Sequence, residues 1–184
     1  MSRPTRAEGL EWVRQAVARF ERPLVRYALH ITGDAERARD VVQEAFLRLC
    51  DQDREYLRPH LTEWLYTVTR NLAIDVRRKE QRMRLLAEAT ADGHAAPGDP
   101  PGLPAEREDE YASVLTAMEE LPNNQQEVIR LKFQHGLSYK QISEVTGLSV
   151  TNVGFLLHVG LKALRRRLAG EEGPRERQTA RYGT

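Results

Sequence analysis

Between Ala38 and Leu49, the apolar residues Ala38, Val41, Val42, Ala45, Phe46 and Leu49 recur at the three- and four-residue spacing of one helical face. Asp40, Gln43, Glu44, Leu47 and Arg48 fall on the remaining surface, so this helix is expected to build core with one side only. Asp34, just after the turn at Thr32-Gly33, is placed to cap its start. A second stripe, Leu61, Trp64, Leu65, Val68, Leu72 and Val76, predicts a helix from about Leu61 to Leu85 whose second half, Arg77 to Arg84, is strongly basic. Two helices are expected before these, Ala7 to Phe20 and Pro23 to Ile31, giving four in the first half of the chain.

Toward the C-terminus the pattern becomes that of a helix-turn-helix. Ser138 with Gln141 three residues on has the form of a capping box, Gly147 suits the left-handed residue that ends a helix, and Ser149 can cap the next one. Ile142, Val145, Leu148, Val153 and Leu157 would fill the angle between the two helices. Thr151, Asn152, His158 and Lys162 are then left to face a DNA major groove, and Arg165, Arg166 and Arg167 close the second helix with positive charge.

The two patterned halves are separated by Leu86 to Arg107, which is rich in Pro and Gly and almost devoid of large apolar residues. The expected architecture is all-α: two small helical domains at 1–85 and 109–169, a flexible acidic linker at 86–108, and a disordered tail at 170–184. Charge follows the same division. Residues 1–85 carry a net +4, 86–120 a net −8, and 121–170 a net +5, so two basic blocks flank an acidic connector. That arrangement fits two nucleic-acid-facing domains, although the whole chain is nearly neutral at +1.

Other chemistry is poorly supported. The five histidines lack metal-ligand spacing, no phosphate-binding glycine loop or nucleophile motif is present, and no apolar run approaches the ~20 residues needed to cross a bilayer. The chain is expected to be a cytoplasmic protein, not an enzyme, with no metal and no cofactor. Its single cysteine, Cys50, is expected to be a packing residue.

The stretches Ala38 to Leu49 and Trp64 to Arg78, together with Leu121-Pro122, Glu127-Val128, Gly136 to Tyr139, Gln141-Ile142 and Gly147 to Ser149, resemble the extracytoplasmic-function (ECF) sigma factors, two-domain promoter-recognition subunits of bacterial RNA polymerase. The resemblance implies that Asp40, Gln43 and Glu44 bind the polymerase clamp. It further implies that the fourth helix and the loop Asp51 to His60 open and read the minus-ten promoter element. Tyr56 and Asn71 would handle separated bases, with Tyr66 and Trp64 nearby, although the spacing of Trp64 suits core better. Arg77, Arg78, Lys79 and Arg82 would contact phosphates. The helix-turn-helix would read the minus-thirty-five element through Thr151, Asn152 and His158, with Lys162, Arg165 and Arg166 beside them, while its supporting helices meet the polymerase flap.

The sequence departs from the family at Arg39, in the second helix of the helix-turn-helix, and in the loop Asp51 to His60, which lacks the glycine common there, so the minus-ten base preference is not carried over. Arg39 stands where an acidic residue is usual, and phosphorylation of Thr32 or Thr62 by a protein kinase is one way to restore negative charge there. Gly154, Leu156, Val159 and Leu161 stand where the second helix usually has basic residues. Phe155, Leu156 and Val159 widen its apolar face, either to pack on the domain's first helix or to receive an anti-sigma factor. The alternative function is a stand-alone helix-turn-helix regulator, which leaves the first domain unexplained.

Overall fold

The computed structural model describes residues 6–88 and 113–169, and every regular element among them is helical. The N-terminal group comprises α1 (Arg6–Thr32), α2 (Ala35–Cys50), the short α3 (Arg54–Leu57) continued by a 3-10 turn (Arg58–His60), and α4 (Leu61–Glu88). The C-terminal group comprises α5 (113–119), α6 (Asn123–Ile129) prolonged by a π-helical turn (Arg130–Gln134), α7 (Tyr139–Thr146) and α8 (Val150–Leu168). The expected tail lies outside the described residues, as does nearly all of the expected linker. Its first residues, 86–88, are the last turn of α4, which runs three residues past the expected end.

The first two expected helices are one. Pro23 sits inside α1, where it removes a backbone donor and crowds the preceding turn, at a cost of about 3 kcal/mol. The helix continues because its buried stripe runs straight through the proline: Trp12, Ala16, Phe20, Leu24, Tyr27 and Ala28 all pack against α2 and α4. Full burial of an aromatic or leucine side chain contributes about 1.5–3 kcal/mol, so the tertiary contacts outweigh the local defect.

Elsewhere in this group the periodicity reading holds. All six residues assigned to the inner face of α2 are buried, and Asp34 caps the helix by accepting from the Arg37 amide at 2.9 Å. Cys50 differs from expectation. It is exposed at the end of α2, one residue beyond the buried Leu49, and its thiol only donates back to the Phe46 carbonyl. In α4, Leu65 is fully buried, Leu61, Trp64, Leu72 and Val76 pack at the edge of the core, and Val68 is half-buried. Tyr66, Thr69 and Ala73 are also buried, and the stripe did not predict them.

In the C-terminal group, α8 lies across α6 at close range. A side-chain carbon at Gly160 would stand 2.8 Å from Ile129 Cδ1 and 3.4 Å from Gln125 Cβ, so the absence of a side chain sets the approach of the two helices. Gln126 ties the end of α5 to α6, its amide donating to the carbonyls of Leu121 and Glu119. No single helix among the described residues is long and apolar enough to cross a membrane.

The two groups touch. α7 packs along α4, and the turn after α6 meets α1, so the halves that the sequence separates share a seam.

Candidate nucleic-acid interface

The helix-turn-helix forms through the local chemistry that its sequence announces. Ser138 accepts from the Gln141 amide at 3.2 Å while the Gln141 side chain accepts from the Ser138 amide at 2.9 Å, a reciprocal cap on α7. Gly147 ends α7 at φ +75°, a left-handed conformation that costs a residue with a Cβ about 1–2 kcal/mol. Ser149 then caps α8 by accepting from the Asn152 amide. Ile142, Val145, Val153 and Leu157 are buried and Leu148 is partly so; the axes of α7 and α8 meet at 103°, within the range of DNA-reading helix pairs.

All six residues assigned to DNA here, Thr151, Asn152, His158, Lys162, Arg165 and Arg166, are exposed on α8. Thr151, His158, Lys162 and Arg165 follow one another along a single face. Phe155 lies at the centre of that face and is 61% exposed, whereas Leu156 is buried and Val159 half-buried. The expected widened apolar face therefore divides: Leu156 belongs to the core, and Phe155 stands among the residues expected to read DNA. Arg167 points elsewhere and pairs with Glu120 at 2.8 Å.

Along α4, Asn71, Arg78 and Arg82 are spaced for one exposed face, with Arg77 and Lys79 exposed on either side. Glu80, within the basic run, is engaged by Arg37 of α2. Tyr56 is displayed at the other end. Asp53 caps α3 by accepting from the amides of Glu55 and Tyr56, Leu57 anchors it in the core, and the Tyr56 ring is 81% exposed. About 15 Å of helix separates the start of α4 from Asn71, so the two residues mark the ends of an elongated surface. Tyr66 is not part of that surface, being buried beneath Tyr27 and His135.

On α2, Asp40 and Gln43 are exposed, and Glu44 is partly so, held by Arg48 at 2.9 Å. Leu47, exposed at 63%, lies on the same face one turn further along, an apolar side chain among polar ones that periodicity assigned only to the outer surface. Arg39 is exposed beside this face. Of the two threonines considered for phosphorylation, Thr32 is buried and its hydroxyl donates to the Ala28 and Asp34 carbonyls, which removes it as a substrate; Thr62 is half-exposed.

The seam between the two groups is polar at its centre. Glu127 of α6 accepts from Arg70 through both oxygens, at 2.7 and 3.1 Å, and from the Tyr27 hydroxyl at 2.8 Å. The Glu127 bond is the largest influence holding the Arg70 guanidinium charged, and burial is the first reason the Tyr27 hydroxyl resists ionisation. Beside them the Tyr27, Tyr66 and His135 rings pack mutually, with centroids 5.2–5.6 Å apart. The π-helical turn brings Arg130 to His30, with Nη1 at 2.8 Å from Nε2. Burial first, and then the charges of Arg26 and Arg130, push the His135 pKa down to about 4. Sequence reasoning assigned no role to Arg70, Tyr27, Arg130 or His135, because each belongs to a contact between residues about 57 to 100 positions apart.

Comparison with known proteins agrees with this division. Residues 16–83 match the family model for sigma-70 region 2, and residues 111–164 match that for sigma-70 region 4. The ECF RNA polymerase sigma factor SigL of Mycobacterium tuberculosis is 32% identical over 145 residues, covering 77% of this chain and 80% of its own length. The probable RNA polymerase sigma factor RfaY of Xanthomonas campestris pv. campestris is 35% identical over 126 residues; these span 66% of this chain but only 32% of that longer protein. Among solved structures, the sigma factor RpoE of Bartonella quintana, in complex with the anti-sigma factor NepR, superposes with a TM-score of 0.62 at 18% identity, covering 86% of this chain and 98% of the other.

Proposed function

Because this chain belongs to the ECF RNA polymerase sigma factors, we propose that it binds bacterial core RNA polymerase and directs initiation at promoters with two separately read elements. The observation that carries this reading is the α8 face, where Thr151, Phe155, His158 and Lys162 stand exposed in register on a helix held at 103° to its partner. Polar groups in that register suit base edges in the major groove, and Phe155 suits the methyl group of thymine. Arg165 and Arg166 add phosphate contacts at the end of the helix.

Asp40, Gln43 and Glu44 on α2, with Leu47 as an apolar anchor, provide the surface for a basic site on the polymerase clamp. Tyr56 stacks on a base separated from the duplex, Asn71 contacts a base edge, and Arg77, Arg78, Lys79 and Arg82 hold the backbone. The N-terminal domain runs through the end of α4 at Glu88 and the C-terminal domain is 109–169, joined by a tether that lets each weak contact raise the effective concentration of the next.

The test is run-off transcription by bacterial core polymerase, with and without this protein, on a promoter library that includes the region upstream of its own gene. Initiation at a defined sequence that requires the protein is expected. Specific duplex binding by the protein alone, with no initiation alongside core polymerase, would instead identify a stand-alone regulator.

A further inference from the structure

Arg70 stands out because its chemistry and its position disagree. It lies next to Asn71 on α4 and seven residues before Arg77, which places Arg70 and Arg77 within about 20° of one another on the helix, roughly 10 Å apart along its axis. It thus extends the basic track of α4 toward the middle of the helix. Yet Arg70 faces the C-terminal group, with 23% of its side chain exposed, and its Nε and Nη2 both donate to the Glu127 carboxylate. A guanidinium gripping two oxygens of one group is the geometry by which arginine binds phosphate as well as carboxylate.

We infer that Arg70 is a phosphate-binding residue for promoter DNA that the C-terminal group keeps covered, with the Glu127 carboxylate occupying the place of the phosphate. This rests on the function proposed above. The cover consists of α7 along α4 and the Glu127 carboxylate at its edge, steadied by Tyr27. DNA cannot reach Arg70 while the seam is closed, since the anion that would bind it meets another anion already in place. Binding of the two groups to separate sites on the polymerase parts them and transfers Arg70 from carboxylate to phosphate. Little electrostatic cost is left over, because one bidentate charge-assisted pair replaces another. The chain is closed to DNA when alone and open when assembled.

The experiment uses the full chain without polymerase. Binding to a fluorescent single-stranded oligonucleotide and to a forked duplex is measured by anisotropy across a salt series, and the radius of gyration by small-angle X-ray scattering. Glu127→Gln should enlarge the molecule, tighten DNA binding about tenfold, and steepen the salt dependence by about 0.7 for one added phosphate contact on a single strand. Tyr27→Phe removes one bond to the carboxylate at little structural risk and should shift both readouts the same way by less. Adding Arg70→Gln to Glu127→Gln should abolish the gain while the molecule stays open.

An opened Glu127→Gln chain with unchanged affinity overturns the inference. So does a gain that survives loss of Arg70, or a Glu127→Gln chain that remains closed. Wild-type run-off transcription is assayed in parallel: initiation without any Glu127 effect defeats this inference alone, and an Arg70-dependent gain without initiation defeats the sigma-factor reading instead.

Discussion

His135 meets Tyr66 edge to face across the seam between the two helical groups, their ring centroids 5.2 Å apart, and neither nitrogen of the imidazole has a hydrogen-bond partner among the described residues. Arg26 on α1 and Arg130 beside the histidine are the cations that bear on it, Tyr27 and Tyr66 close over it, and His30 lies beyond Arg130. The closed seam therefore favours a neutral ring.

Acid should open the molecule. With the His135 pKa about 4 when closed and about 6.5 when released, the open form takes up a proton that the closed form refuses as pH falls below 6.5. The closed state is fully favoured above that range, weakens progressively below it, and has lost the whole contribution below pH 4. At pH 5 the weakening from His135 is about 2 kcal/mol. His30, also lowered to about 4 chiefly by burial, acts in the same direction, but its greater exposure reduces its share. Small-angle scattering from pH 7.5 to pH 5 should show expansion, and His135→Phe should remove most of it. Equal expansion in the variant would assign the effect to other groups.

Replacing Gly147 with Ala should destabilise the C-terminal group by about 1–2 kcal/mol, since an L side chain must adopt φ +75° at the turn. Among the described residues no atom beyond the adjoining turn lies within 4 Å of the added carbon, so the cost is conformational. Chemical denaturation monitored by circular dichroism measures it.

Gly160→Val should cost more, about 2–3 kcal/mol, because its branched side chain must displace Ile129 and Gln125 where α8 crosses α6. A lower thermal midpoint with preserved helix content is the expected result. An unchanged midpoint would mean that α8 does not pack this closely on α6.

Phe155→Ala should leave stability nearly unchanged, given the exposure of the ring, and reduce minus-thirty-five recognition. The chemical signature is specific. Replacing each thymine of that element in turn with deoxyuracil, which removes only the methyl group, should weaken wild-type binding at one position, by up to the roughly 1–3 kcal/mol carried by a good base contact. The alanine variant should be indifferent to the change. If wild type tolerates deoxyuracil everywhere, Phe155 does not read a methyl group.

Tyr56→Ala should likewise fold normally but form fewer open complexes. Its ring is 81% exposed, and stacking on one separated base is worth about 1–3 kcal/mol. Permanganate footprinting of promoter melting distinguishes this from loss of polymerase binding, which instead should follow Asp40→Arg on α2.

What the sequence determined by itself is local. The buried face of α2, the Asp34 cap, the Ser138-Gln141 box, the left-handed Gly147 and the exposed face of α8 depend on residues within one helix or the turn beside it, so spacing and turn chemistry suffice to find them. Tertiary packing decided the rest. α1 runs through Pro23 because burial on both sides outweighs a lost backbone bond, Cys50 is left outside the core by one residue of helical phase, and Tyr66 is covered because another part of the chain arrives to cover it. The grip of Glu127 on Arg70 and Tyr27 belongs to the same class. Arg70 and Glu127 read as ordinary surface residues and Tyr27 as a core residue, each in its own helix, and only the meeting of two separately patterned halves turns them into a part-buried polar seam.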